Sequence, residues 1–238
     1  MKPSSSLFLY GMHPCVAALK NPERRVEKVF VTNAALADDL PLGRLKVEVV
    51  DKKVLEGKLP TGAVHQGLAL QVQPLPMYDI NDLRLIEGNA CVVLLDQVSD
   101  PHNVGAIIRS AAVFGARCVI VPERCAPKET GALAKSASGA LEIVPMCVVK
   151  NLSQAIKTLQ EFGFWTVGFA ETGTQALNDI DLKGKIALIL GAEGDGMRRL
   201  TKEMCDFSVR LPTTENFSTL NVSNAAAIAL YERFKQAL

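Results

Sequence analysis

Three stretches of this sequence gather residue types that can do chemistry. The first is "DPHNVGAIIRSAAVFGA", in which the only charge from Val104 to Ala116 is Arg109. An otherwise apolar helix is expected to be buried. A buried guanidinium needs a partner, since leaving it unpaired costs on the order of several kcal/mol. Such an arginine closes an interior pair with a carboxylate, sits at a subunit interface or serves a ligand. Asn103 is placed to cap this helix. His102 is a candidate base, although a loop histidine beside proline is more simply structural. The second stretch, "KIALILGAEGDGMRRL", runs an apolar strand into Gly191, Gly194 and Gly196. The order G-x-x-G-x-G is neither the dinucleotide fingerprint nor a phosphate loop. Glycines at a strand end either make a tight turn or let backbone approach a flat ligand. Glu193, set between them, is more than a turn requires. The third stretch, "RLPTTENFSTLNVSNAAAIALYE", places Asn221, Ser223 and Asn224 before an apolar helix. One of them would cap the helix. The surplus, with the free N–H groups of a loop-to-helix junction, could line a site for polar ligand groups.

These stretches need elements to hold them. "YGMHPCVAALKN" reads as a short helix, "VEKVFVT" and "LKVEVVD" as strands, "VLEGKL" as a helical turn, and "GAVHQGLALQVQP" ends in a strand. Together they make a small α/β unit. "QPLPMYDINDL", with two prolines, is the best linker. Beyond it, strands ("ACVVLLD", "RCVIVP", "EIVPMCVV", "FWTVGFA", "KIALILG") alternate with helices ("NVGAIIRSAAVFG", "KETGALAKSASGAL", "NLSQAIKTLQEFG" entered at Asn151 or Ser153, and the C-terminal run). That alternation argues for a mostly parallel sheet covered on both faces. In such sheets ligands bind beyond the carboxyl ends of the strands, where the three stretches lie.

Bulk properties narrow the class. At 238 residues and 48% hydrophobic, the chain suits one large or two small domains. No uninterrupted apolar run reaches the ~18 residues of a membrane span. The N-terminus, with one lysine and a short apolar patch, does not read as a signal peptide. The six cysteines form no C-x-x-C, so free thiols in a cytoplasmic protein are expected, with no zinc site. A net charge of +1 argues against holding nucleic acid by bulk charge. Residues 1–75 carry 10 Lys+Arg against 7 Asp+Glu, and the remainder 16 against 18, so phosphate contacts would come from local patches.

Asn103 through Arg109, "LILGAEGDGMRRL" and "LPTTENFSTLNVSNAA" resemble, in order and separation, the three motifs of the SpoU/TrmH RNA ribose 2′-O-methyltransferases of the SPOUT superfamily. The similarity spans residues 90–235. "YGMHPCVAAL" and "GAVHQGLALQV" resemble the substrate-binding domain of the branch acting on a guanosine of large-subunit (23S) ribosomal RNA, a domain similar to L30-type ribosomal proteins. The resemblance implies an L30-like α/β RNA-binding domain over residues 1–73, a linker over 74–88, and an α/β catalytic domain over 89–238. The catalytic domain would have a mostly parallel sheet and a deep trefoil knot, a feature otherwise nearly absent from proteins. It implies S-adenosylmethionine bound largely through backbone at Gly191, Leu211 and Leu220, with Ala170, Leu190 and Ala192 nearby. Asn103, Arg109, Glu193, Thr219 and Asn221 would form the active site, without metal. A homodimer would bury the C-terminal helix. Five positions depart from the motifs: Thr213 and Glu215 replace a usual Met and Gly, Thr219 a Ser, Asn224 an apolar residue and Phe169 a Thr. Two other readings stand beside this one: a transfer RNA 2′-O-methyltransferase, and an RNA-binding ribosome-assembly factor that has lost turnover.

Overall fold

The structure is a computed structural model that describes residues 6–214 and 219–238. The chain forms two compact units. The first comprises the described part of Met1–Pro76 together with Pro127–Ile143, and the second Met77–Ala126 with Val144–Leu238.

In the first unit, strands β1 (Leu7–Tyr10), β2 (Val26–Val31), β3 (Val47–Val49) and β4 (Leu68–Val72) form a sheet of order β1-β4-β2-β3. Its pairs are antiparallel except β2 with β3. Helices α1 (Met12–Lys20), α2 (Ala35–Asp38) and α3 (Lys52–Glu56) connect them. Tyr10, Phe30, Leu55, Leu59 and Ala69 make one apolar cluster. The segment Pro127–Ile143 contributes α5 (Gly131–Ala137), capped by Thr130 Oγ1, which accepts from Leu133 N at 3.2 Å. Gly131 is obligatory there, because a Cβ would overlap the Tyr10 ring and the Phe8 carbonyl oxygen. The Arg24 side chain, wholly buried, binds Glu129 at 2.5 Å and Glu142 at 2.6 Å. It also donates to the Gln73 carbonyl at 2.8 Å, so one guanidinium ties three distant stretches of chain together.

The second unit is built on β5 (Ala90–Asp96), β6 (Val119–Pro122), β7 (Met146–Val149), β8 (Trp165–Phe169), β9 (Gln175–Ala176), β10 (Lys185–Gly191) and β11 (Phe207–Arg210). They lie in the order β7-β6-β5-β10-β8-β11-β9, and every pair is parallel. Buried parallel strands need apolar side chains on both faces, which is why Cys91 to Leu95 are all buried. The even positions Val92 and Leu94, with Ala187 and Ile189, pack on Ile156 and Leu159 of α6 (Leu152–Glu161). Asn151 caps α6 through Gln154 N at 3.2 Å, deciding between the two candidates. Helix α4 (Pro101–Val113) lies beside α8 (Val222–Gln236), with Phe114 edge-on to Tyr231 at 5.8 Å. Helix α7 (Arg199–Met204) follows the glycine-rich stretch.

Several elements were not legible as such. β1, α7, β9 and β11 are too short or too mixed in character to show a period. The expected linker is only partly irregular: Leu83, in a 3-10 turn over Ile80–Leu85, is fully buried in the second unit's core. Among the described residues, no helix is long and apolar enough to cross a membrane, and no three His, Cys, Asp or Glu side chains are grouped to hold a metal.

Candidate active site

All strands of the second sheet run the same way, so their carboxyl ends share one edge. β5 ends at Asp96, in register with Gly191 at the end of β10. β8 ends at Phe169, paired with Val209 of β11. Gly191 therefore ends one strand, and Ala170 and Leu211 follow the ends of the next two. Leu190 is buried in β10, and Phe169 is buried as well.

The glycine-rich stretch folds back on its own strand. Gly196 N donates to the Ala192 carbonyl at 2.9 Å. A Cβ at Gly191 would overlap the Gly196 carbonyl carbon and the Met197 nitrogen, and Gly194 and Gly196 take φ of +81° and +65°. The turn itself thus requires all three glycines. Its far side carries Glu193. The turn closes at Arg198, whose N and Nε donate to Asp96 Oδ2 and Oδ1 at 2.9 and 2.8 Å. Asp96 is completely buried.

Glu193 Oε1 accepts from Asn221 Nδ2 at 2.5 Å and from Val222 N at 3.2 Å. The same Asn221 amide donates to Asn103 Oδ1 at 3.0 Å. Asn221 Oδ1 meanwhile accepts from Ser223 N at 2.8 Å and so caps α8. Ser223 and Asn224, expected before the helix, lie inside its first turn, and Asn221 alone does both jobs: one side caps, the other joins residues 28 and 118 positions away. Asn103, expected to cap α4, does not do so. Asp100 does, accepting from His102 N at 3.2 Å, with Pro101 opening the helix. Proline is preorganised for the first helical position, which moves the cap one residue before it. Asn103 is left inside the first turn, free to face Asn221.

Arg109 departs from expectation. It is exposed and makes no hydrogen bond or ion pair with a described residue. The buried stripe of α4 is Val104, Gly105, Ile107, Ile108 and Ala111. The outward face carries His102, Ala106, Arg109 and Val113, with Val113 67% exposed. Small and apolar residues on that face removed the polar signal that would have marked it. Thr219, Thr213 and Asn224 are exposed, as is Leu220 beside Asn221. Glu215 lies outside the described residues. Asn103, Glu193 and Asn221 are therefore brought together by direct bonds, and Arg109 and Thr219 are not joined to them in the single chain. Asp96 and Arg198 were missed; an acidic residue ending an apolar strand was the one available signal.

Residues 90–231 match the SpoU rRNA methylase family, and residues 8–78 match the family of RNA 2′-O ribose methyltransferase substrate-binding domains. The chain is 38% identical over 244 aligned residues to the 23S rRNA (guanosine-2′-O-)-methyltransferase RlmB of Vibrio vulnificus, with 98% of each chain covered. It is 39% identical to RlmB of Haemophilus ducreyi, over 97% of this chain and 98% of that one. The crystal structure of the SpoU methyltransferase AviRb from Streptomyces viridochromogenes, in complex with the cofactor AdoMet, superposes with a TM-score of 0.82 at 23% identity, covering 97% of this chain and 90% of that one.

Proposed function

The chain belongs to the SpoU rRNA methylase family, and from that premise we propose that it methylates the ribose 2′-hydroxyl of a guanosine in 23S ribosomal RNA, using S-adenosylmethionine. The observation that carries this reading is the bonded set Asn103–Asn221–Glu193, standing beside the ends of β5 and β10. The relatives named for this reaction cover nearly the whole chain and supply the substrate class.

The residues present fit the cofactor. Leu211 and Leu220 make no backbone hydrogen bond with a described residue, so their N–H and C=O groups can serve a ligand's donors and acceptors. Leu190, Gly191 and Ala192 at the end of β10, and Ala170 after β8, would line the site with them. The carbonyls of Ala170 and Ala192 already accept from Gly173 and Gly196, so these two act mainly as walls. When bound, S-adenosylmethionine would supply the methyl group, its S–CH3 bond breaking as the ribose O–CH3 bond forms, with S-adenosylhomocysteine leaving and the hydroxyl proton passing to solvent. The protein's task is orientation and management of the hydroxyl proton. Asn103 and Asn221, fixed by Glu193, orient the ribose, and Thr219 offers a hydroxyl beside them. Arg109 presents a planar guanidinium fork that only donates hydrogen bonds. Its role is to grip a phosphate and stabilise the developing alkoxide.

A homodimer completes this picture. Helix α4, with Arg109 and Val113 exposed, packs beside α8, whose Tyr231 is 53% exposed and whose Ile228 is also open. A second copy seated there would cover apolar surface and bring Arg109 to a site. The first unit, an L30-like domain built on residues 1–73, would grip structured RNA, and residues 89–238 would carry the transfer in a knotted fold. The insertion of β10 between β5 and β8, and the bond from Glu193 to the start of α8, support the knot. The protein would act in the cytoplasm, where ribosomal RNA is modified.

Titration calorimetry and site mapping test the reading. S-adenosylmethionine should bind without added metal, and a deletion strain should lose one 2′-O-methylguanosine from 23S RNA. A protein that binds no S-adenosylmethionine at millimolar concentration would sink it.

A further inference from the structure

The stretch from Gly191 to Arg198 is tied at both ends to one residue. Its first residue, Gly191, lies in register with Asp96 across the β5–β10 ladder. Its last, Arg198, donates from backbone N and from Nε to the two oxygens of that same Asp96. Asp96 is fully buried, whereas the Arg198 side chain is 48% exposed. A buried carboxylate is costly unless its oxygens are satisfied, so the pair is strongly directional. Asp96 has no freedom to turn, and Arg198 must come to it. Between the two ties, the Ala192–Gly196 bridge closes the turn and holds Glu193 at its far side. From there bonds run to Asn221 and Val222 N, and from Asn221 to Asn103. Asp96 is also the last residue of β5, and Gln97, at φ +65°, turns the chain toward Asp100 and α4, which carries Asn103. The two arms that meet at Asn221 therefore start from the same buried residue, one from its carboxylate and one from its backbone.

Resting on the methyl-transfer reading above, we infer that Asp96 and Arg198 are positioning residues for that reaction. The pair sets where Glu193 stands, and through Glu193 the direction of the Asn221 amide. Neither residue touches the substrate. The strand residues Leu190 and Gly191 are held by the sheet, so the pair governs transfer far more than cofactor affinity.

Arg198→Ala keeps the backbone bond to Asp96 but removes the Nε bond, and Arg198→Lys restores a cation that can reach the carboxylate. Amide hydrogen exchange reads the linkage without any activity. In Arg198→Ala, protection of the Val222 amide should fall at least about tenfold, while Ala229 and Leu230 in the same helix keep theirs. Single-turnover methylation of 23S RNA fragments should fall at least about tenfold, since small misplacements of orienting groups are costly. The calorimetric affinity for S-adenosylmethionine should stay within about threefold, and Arg198→Lys should recover much of the rate. In a Glu193→Gln background, Arg198→Ala should cost little more, because the two act in series. Unchanged Val222 protection would overturn the inference whether or not the wild type methylates. So would a rate loss accompanied by an equal loss of cofactor affinity and melting temperature, or full additivity with Glu193→Gln. A wild-type enzyme that fails to methylate RNA would count against the reaction, while the exchange result would still decide the linkage.

Discussion

One carboxylate oxygen, Glu193 Oε1, receives both the side-chain amide of Asn221 and the backbone N–H of Val222. Glu193 thus stabilises the N-terminus of α8 as an anion in its first turn would, while it aims the asparagine. The two functions separate by substitution. Glu193→Gln retains an acceptor oxygen and should keep the fold, with methylation lowered about tenfold. Glu193→Ala removes the acceptor of Val222 N and leaves Asn221 Nδ2 bonded to Asn103 alone. It should cost about 1 kcal/mol in stability, as loss of a helix cap does, and lower single-turnover methylation about a hundredfold. Equal rates for the two variants would show that the acceptor geometry does not matter.

Arg109 gives a sharper contrast, because its exposure removes the fold from the question. Arg109→Ala should leave melting temperature and S-adenosylmethionine affinity unchanged and lower methylation by at least about a hundredfold. Arg109→Lys should recover part of the rate, since it keeps charge and loses the planar fork. Near-normal turnover by folded Arg109→Ala protein would remove this residue from the site.

The exposed apolar side chains of α8 predict the oligomeric state. Placing a charge into the Ile228–Tyr231 face, as in Tyr231→Glu, should shift the protein from dimer to monomer in sedimentation velocity. Activity should fall with the dimer while S-adenosylmethionine binding to the monomer weakens less. Wild-type protein that sediments as a monomer at micromolar concentration would refute the arrangement.

How much of this was legible beforehand follows from the kind of signal each residue gives. The parallel sheet was, because β5 and β10 are apolar on both faces and must be buried twice over. Asn221 was legible as a helix cap, but not as more than one, since Ser223 and Asn224 lie inside the first turn of α8 and the stretch alone did not decide between a cap and a site. The place of Arg109 was not. A lone charge among Ala, Ile and Val reads as buried when periodicity is the only guide, but an outward face of Ala106 and Val113 mimics an inward one. Nor was Asp96, whose partner is 102 residues away. The glycines were visible, but only the overlap of Gly191 with Gly196 and Met197 shows that the turn demands them.

The thiols predict a pH response. Burial pushes Cys15 and Cys91 up to about 12 and Cys147 to about 11, and burial with nearby Asp206 and Asp96 pushes Cys205 to about 12. At pH 8 the native protein should react slowly with a thiol reagent, chiefly at the partly exposed Cys125, and all six should react after denaturation. The raised values favour the neutral thiol in the fold. Their contribution to stability is therefore complete below the ordinary thiol value near ~8.5 and is lost as pH rises toward 12. Denaturant midpoints should fall between pH 9 and pH 11. A flat profile across that range would show that the thiols do not stay neutral in the folded protein.

Removing residues 1–76 is the obvious way to ask whether the first unit grips RNA, and the structure predicts that it fails for another reason. Pro127–Ile143 belongs to that unit, and Glu129 and Glu142 there share the buried Arg24. Truncation strips both carboxylates of their cation and exposes Leu133, Ala134 and Ala137. Removing one partner of a buried pair costs about 3–5 kcal/mol, so Arg24→Met alone should lower the stability of the intact chain by that order in urea unfolding. The truncated chain should aggregate. The RNA question is better put to the intact protein. If exposed cations of the first unit, such as Arg25, Lys46 and Lys53, contact phosphate, the affinity for 23S RNA fragments should fall as salt rises, through counterion release. Each such residue changed to alanine should make the dependence on salt less steep, while S-adenosylmethionine affinity stays the same. An unaltered salt slope in the triple variant would place the phosphate contacts elsewhere. A soluble, fully active fragment lacking residues 1–76 would overturn both the structural role of Arg24 and the RNA role of the first unit.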